Sequence, residues 1–302
     1  MHWLFYAIIA QFLWAIVNHL DKYLVSKIFK GGVGAVMIFT AMVNIIFLPI
    51  LLYFQPQILT TPIDQALIAC FVGVLYVLSS LFYFYALRKD DATKISVLWQ
   101  MTAPISYFLA MIFLGEFLNF KQTLGAIIVL TGGILTMIRY DNGAFRFRKR
   151  VFLFMLGAVT TFAVSSLIFK NFALNFDFWS AVFFEILGAF FAGIFLVVAI
   201  KTYRQQFIAA ISRDRAKILS INLINETLQI SATVSFRFAT LIAPVALVQA
   251  SNSLNVIFVF FIAILIAIFL PHISEEKFSK YMILQKIAGI IVVTIGLILI
   301  EL

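Results

Sequence analysis

The stretch SINLINETLQISATVSF, residues 220–236, has the length and apolarity of a membrane span, yet it carries Asn222, Asn225, Glu226, Gln229 and Thr233. At about 100° per residue these five fall on one helical face, while Leu223, Leu228 and Ile230 lie largely off it. An ionisable group at a helix centre costs at least about 2.5–3.5 kcal/mol on insertion scales. The stripe therefore turns away from lipid, toward a bundle interior or an aqueous cavity.

The whole chain repeats the apolar theme. Of its 302 residues 64% are hydrophobic, 16% aromatic with 35 Phe, and only 12% charged, against the roughly 45–50% apolar usage of soluble domains. Spans of about 20 residues are what a bilayer core requires, and polar punctuation divides the sequence into ten: 3–20, 33–54, 66–87, 95–114, 123–137, 151–172, 178–200, 218–238, 245–270 and 282–300. Barrel strands are excluded, because those run about ten residues with period-two alternation. The loops are short, and no cleavable signal precedes the first span.

The net charge of +9 comes from 22 Lys and Arg against 13 acids. Nucleic acid is not the expected partner, since the densest basic cluster, RFRKR at 146–150, has only a short loop's reach. Loops after odd-numbered spans hold 19 of the basic residues and those after even-numbered spans hold Lys121, Lys170 and Arg237. By the positive-inside rule this places both termini outside. Cys70 is the sole cysteine, which rules out a disulfide within the chain and leaves thiolate metal sites without support.

The halves repeat weakly. GAIIVLTGGILTM from Gly125 and GIIVVTIGLILI from Gly289 share a Gly-x6-Gly spacing, WAIVNHLDK ending at Lys22 aligns with FAVSSLIFK ending at Lys170, and Gln100 matches Gln249. Five spans per half is odd, so the second copy must be inserted upside down, an arrangement whose substrate sites lie near the midplane. The expected fold class is an all-α integral membrane protein of ten transmembrane helices in two inverted-topology five-helix repeats, 1–140 and 151–302, joined by a basic cytoplasmic linker at 141–150.

Trp14, Asn18 and Lys22 as W-x3-N-x3-K, Ala86-Leu87, TAP at 102–104 and LGE at 114–116 followed by Gln122 and Gly125 together resemble the EamA-like proteins of the drug/metabolite transporter superfamily. The resemblance covers nearly the whole chain and is clearest from Tyr83 to Met137. It departs in the second half, where Ala263, Ile264 and Leu265 replace LGE and LPHISEEKFSKY precedes the last helix. It implies a multi-pass transporter of the plasma membrane, the inner membrane of a bacterium, exporting a small polar metabolite such as an amino acid. It also implies cytoplasmic termini, opposite to the charge count.

Candidate substrate-binding residues follow from polarity at mid-span. Asn222, Glu226 and Gln229 come from the opening stripe, either lining a cavity or tying helices together; Glu226 is also the proton-coupling candidate. Asn18, beside Asp21 and Lys22, comes from the first span, and Ser166, next to Ser165, from its repeat mate. Lys22 and Lys170 near opposite mouths suit attraction of an anionic group, or are simply solvated. Trp99 and Gln100, and Gln249 with Asn252, place amides in the fourth helix of each half, able to bind a zwitterion or a neighbouring helix. Tyr76, Ser80 and Tyr83 share a face at i, i+4, i+7, lining a pocket or packing. Glu185 suits a structural pair with Lys170 or Arg237, and Glu116 a helix-end role.

Enzymatic chemistry has little footing. His2, His19 and His272 are scattered and no H-E-x-x-H or phosphate loop occurs; no cofactor or metal is expected, and the Asp90–Asp91 pair lacks a second acidic pair. The expectation is a secondary-active transporter, not an enzyme, working as monomer or homodimer among membrane lipids by alternating access around a central cavity. The alternatives are a flippase or scramblase of a lipid-linked sugar or other lipid, and a non-transporting membrane scaffold.

Overall fold

The computed structural model describes residues 2–29, 32–89, 92–135, 149–213, 215–269 and 280–301. Among these the chain is helical throughout its apolar runs: α1 (His2–Tyr23), α2 (Val33–Met42), α3 (Leu48–Phe54), α4 (Ile63–Leu87), α5 (Ala92–Trp99), α6 (Thr102–Phe113), α7 (Phe120–Leu135), α8 (Lys149–Asn175), α9 (Phe178–Ala199), α10 (Lys201–Arg213), α11 (Arg215–Ile242), α12 (Val245–Ala250), α13 (Asn252–Phe269) and α14 (Lys280–Glu301). Six segments are long and apolar enough to cross a membrane: His2–Ile28, Val33–Phe54, Ile63–Leu87, Lys149–Asn175, Phe178–Ala199 and Val245–Phe269. Shorter apolar helices cover Thr102–Phe113, Phe120–Gly132 and Ile287–Ile300. α11 is the longest helix at 28 residues; its polar stripe lowers its mean apolarity and keeps it out of the six.

Irregular turns sit where proline or a polar side chain removes a regular hydrogen bond. Pro49 has no N–H to give the Ile45 carbonyl, so Leu48 N–H takes it instead and the backbone tightens into a 3₁₀ segment, Val43–Phe47. Pro104 likewise leaves the Gln100 carbonyl to Ala103 N–H at 3.2 Å, and the helix breaks between α5 and α6. The equivalent helix of the second half breaks at Ser251, whose hydroxyl bonds the Val248 carbonyl at 2.6 Å. Pro244 caps α12 rather than kinking it.

α1 packs on α11 and α13; α8 packs on α4 and α6; α7 lies along α14. Small residues set these approaches. A Cβ on Gly73 would lie 2.0 Å from the Glu185 carbonyl, and one on Gly188 1.9 Å from that of Cys70, so α4 and α9 cross with backbones touching. The two Gly-x6-Gly motifs interlock: Gly125 faces the Gly296 carbonyl and Gly132 the Gly289 carbonyl. The outer surface is apolar, with Phe5, Phe113, Phe120, Phe195 and Phe269 all more than half exposed, a surface suited to lipid rather than water.

The segment after α9 differs from the short loop expected of it. α10 is a helix lying against α2: the Gly34 amide donates to Gln206 Oε1 at 2.9 Å, and the Tyr203 and Tyr85 hydroxyls meet at 2.6 Å. Its basic residues drew the reading toward a loop, while Tyr203, Phe207, Ala210 and Ile211 form the apolar face that docks it. Most of the expected linker at 141–150, Asp90, Asp91, and all but the last two residues of LPHISEEKFSKY lie outside the described residues; Lys149 and Arg150 begin α8.

Candidate functional site

A cavity of about 90 Å³ opens between α1, α2, α4, α5, α8, α11 and α13. Helical spacing places its walls: Gln11, Trp14, Asn18 and Asp21 recur along one face of α1, Tyr76, Ser80 and Tyr83 along α4, and Asn225, Glu226 and Gln229 along α11. Ser79, Ser96, Trp99, Asn255 and, from α2, Thr40 complete the polar lining. Val17, Phe84, Ile95 and Phe162 are its only lining side chains without a polar atom.

Two carboxyl groups are buried there. Glu226 accepts from the Thr40 hydroxyl at 2.8 Å and from Asn44 Nδ2 at 3.3 Å, and Asp21 Oδ1 accepts from Asn225 Nδ2 at 2.9 Å. Asn44 reaches Glu226 from the 3₁₀ segment that Pro49 enforces. Asn18 links three helices, receiving the Tyr83 hydroxyl at 3.1 Å and donating to Asn255 Oδ1 at 2.9 Å. Trp99 stands edge-on to Tyr83 at 5.8 Å and packs on Phe162 at 5.4 Å.

A second cavity, of about 40 Å³, shares Tyr76 and Gln229 with the first. Two hydrogen bonds lie where they meet, from Gln229 Nε2 to the Tyr76 hydroxyl and from Asn44 Nδ2, of the second cavity, to Glu226, of the first. Beyond them sits Arg237, fully buried, with Nη2 on Glu185 at 2.6 Å and on Ser165 at 2.8 Å and its guanidinium 4.6 Å from the Phe169 ring centre. Arg237 Nε and Nη1, Thr233 Oγ1 and Asn44 Oδ1 have no protein partner among the described residues. All three residues border this cavity, which has room for about two or three waters.

Of the residues expected to bind substrate, Asn18, Tyr76, Ser80, Tyr83, Trp99, Glu226 and Gln229 line the larger cavity. Gln100, Ser166, Asn222, Gln249 and Asn252 do not; all but Asn222 bond across helices or across a helix break. Gln100 Nε2 donates to the Asn252 carbonyl at 3.0 Å and its Oε1 receives Ser253 at 2.8 Å, so one side chain clasps the break in the opposite half. Asn252 receives Gln11 at 2.8 Å and donates to Gln249, which reaches Ser166 at 3.4 Å. Asn222 bonds the carbonyl of Ile218 in its own helix. Gln100 thus meets a backbone group at a helix break, as such breaks require.

The lysines also need correction. Lys170 is buried on Glu116 and on the Ala243 carbonyl at 2.8 Å, while Glu116 accepts the Val245 amide; it anchors the start of α12 and presents no free charge to a mouth. Lys22 donates to the Leu87 carbonyl at 3.3 Å. Neither lines the cavity. Glu185 pairs with Arg237, one of its two expected partners. Gln11, Asp21, Asn225 and Asn255 had a legible signal in their spacing within spans, whereas Thr40 and Phe162 had none.

The model of the EamA-like transporter family matches residues 1–138. Solved structures of 26 chains match as well. One, described only as the crystal structure of a protein, is 13% identical with a TM-score of 0.62 over 97% of this chain and 94% of its own, a likeness of fold across nearly the whole length. No curated protein matches the sequence.

Breaking a buried pair on one side costs about 3–5 kcal/mol, while replacing both partners by apolar residues is often neutral. Glu185→Gln is therefore expected to lower the unfolding temperature in detergent markedly, and Glu185→Leu with Arg237→Met to restore much of the loss. A single variant as stable as the wild type contradicts the pairing.

Proposed function

We propose that the chain, whose residues 1–138 match the model of the EamA-like transporter family of the drug/metabolite transporter superfamily, is a secondary-active transporter, an exporter of a small polar solute, built from ten spans in two inverted five-helix repeats. The reciprocal packing supports the repeat: α1 on α11 and α13 is mirrored by α8 on α4 and α6. The fourth helix of each half breaks at the matched place, and α7 and α14 close the halves glycine to glycine.

One observation carries the reading. Glu226, near the middle of its helix, borders a cavity lined by carboxyl, amide and aromatic side chains, and the hydrogen bonds from Gln229 to Tyr76 and from Asn44 to Glu226 lie between it and a second one. Tyr76 and Asn44 belong to the first half and Gln229 and Glu226 to the second. Rocking the halves apart parts those bonds and joins the cavities, while the opposite face closes; this is alternating access around a fixed midplane site. The two carboxyl groups and the amides in the lining favour a solute with a polar group over a lipid tail, and cavities of this kind are not what a scaffold requires. Glu226 carries the coupling proton, with Asp21, Tyr76 and Tyr83 as the other titratable groups around the cavity. The charge bias supports a plasma-membrane orientation with both termini outside.

Glu226→Gln preserves size while removing the charge; its Oε1 keeps the Asn44 bond and its Nε2 can donate to the Thr40 hydroxyl, which accepts as well as donates. In proteoliposomes it is expected to cut proton-driven flux at least about tenfold with the unfolding temperature unchanged; wild-type flux in a folded variant contradicts the role. A phosphatase reporter fused after Leu302 is expected to be active, as only an external terminus allows, and an inactive reporter reverses the orientation.

A further inference from the structure

The charge on the described lining of the central cavity is one-sided. Asp21 and Glu226 are 5% and 1% exposed, and no Lys, Arg or His lines the cavity among the described residues. Elsewhere the fold pairs its buried charges: Arg237 with Glu185, and Lys170 with Glu116. Asp21 and Glu226 are met by neutral donors, an amide for the first and a hydroxyl and an amide for the second. Two acids in a low-dielectric interior repel each other and favour any cation that reaches them.

A further acceptor waits beside them. Asn225 is 2% exposed, and its Nδ2 is committed to Asp21; that bond fixes the amide's orientation, because a carboxylate oxygen accepts and cannot meet Oδ1. The Oδ1 thus left over has no protein partner among the described residues, and Asn225 lines the cavity. Above this acidic floor stand aromatic faces, Trp14 at 6.3 Å from Phe162 and Trp99 at 5.4 Å from the same ring. Such faces attract cations and cover apolar bodies.

We propose that the cavity binds a protonated organic amine, its ammonium between Asp21, Glu226 and Asn225 Oδ1 and its body against Trp14, Trp99 and Phe162. This rests on the transporter reading and narrows it. An ammonium brings the positive charge that the described lining lacks, and N–H donors for Asp21, Glu226 and the unpartnered Asn225 Oδ1. A free amino acid would bring a carboxylate with no lining cation to receive it, so the site discriminates against zwitterions and anions by repulsion as well as by attraction.

The test uses the full-length protein in detergent, at constant ionic strength in potassium salts, with benzylammonium, benzoate and phenylalanine as probes in calorimetry. Benzylammonium is expected to bind saturably, the other two at least about tenfold more weakly, and Glu226→Gln and Asp21→Asn each to weaken the amine about tenfold or more. The probe comparison needs only the wild type, so it stands even where a variant fails to fold. Equal or stronger binding of benzoate or phenylalanine, no binding of any probe, or sodium chloride producing the signal without competition from benzylammonium overturns the assignment. So does amine binding indifferent to both substitutions in folded protein. Flux separates the two readings. Proteoliposomes that carry phenylalanine or benzoate but not benzylammonium sink the amine and leave the transporter; amine binding with no flux of any probe leaves the site and sinks the transporter.

Discussion

A bilayer core offers no water to a polar side chain, so every amide, hydroxyl and charge drawn into it must find protein partners or border a wet space. The buried polar groups here divide along that line. Arg237 with Glu185 and Lys170 with Glu116 are neutralised pairs. The amides of Gln100, Gln249 and Asn252 are spent on one another and on released backbone groups. Asp21 and Glu226 alone among the acids of the described spans meet neutral donors in a cavity wall. The first two arrangements hold the bundle together, and the third is left for a ligand or a proton.

Structure around the cavity serves that third arrangement. Proline at 49 and 104 redirects backbone bonds so that Asn44 reaches Glu226 and Gln100 reaches the facing broken helix. Glycine lets α4 press against α9, and the same α4 carries Tyr76 to Gln229. The boundary between the cavities thus holds two side-chain contacts, Gln229 on Tyr76 and Asn44 on Glu226, supported by the helices on both sides. Contacts of that kind can be made or broken by a small rotation of one half against the other.

Much of this was legible in residue spacing. The stripe on 220–236 is buried where the pattern turned it inward, with Leu223 and Ile224 on the outside, and the paired glycine spacing marked the helices that interlock. Tyr76 and Gln229, each singled out on its own helical face, touch. What stayed hidden has a common cause. An amide in a span reads the same whether its partner is a cavity or a broken helix, so Gln100 and Gln249 could not be told from Gln229 by pattern. Thr40 is a lone hydroxyl in an apolar run, and its value comes entirely from Glu226 on another helix. A helix as basic as α10 hides its docking face among charges that signal a loop.

The central claim is that the acids at mid-depth border water. Its most direct test is thiol accessibility in membranes, on a Cys70→Ala background, with a cationic water-soluble methanethiosulfonate. Ser80→Cys, in the cavity wall, is predicted to be modified, while Ala163→Cys, fully buried and outside the lining, stays inert. Equal inertness at both positions would mean that Glu226 is sealed in protein, and would contradict the account.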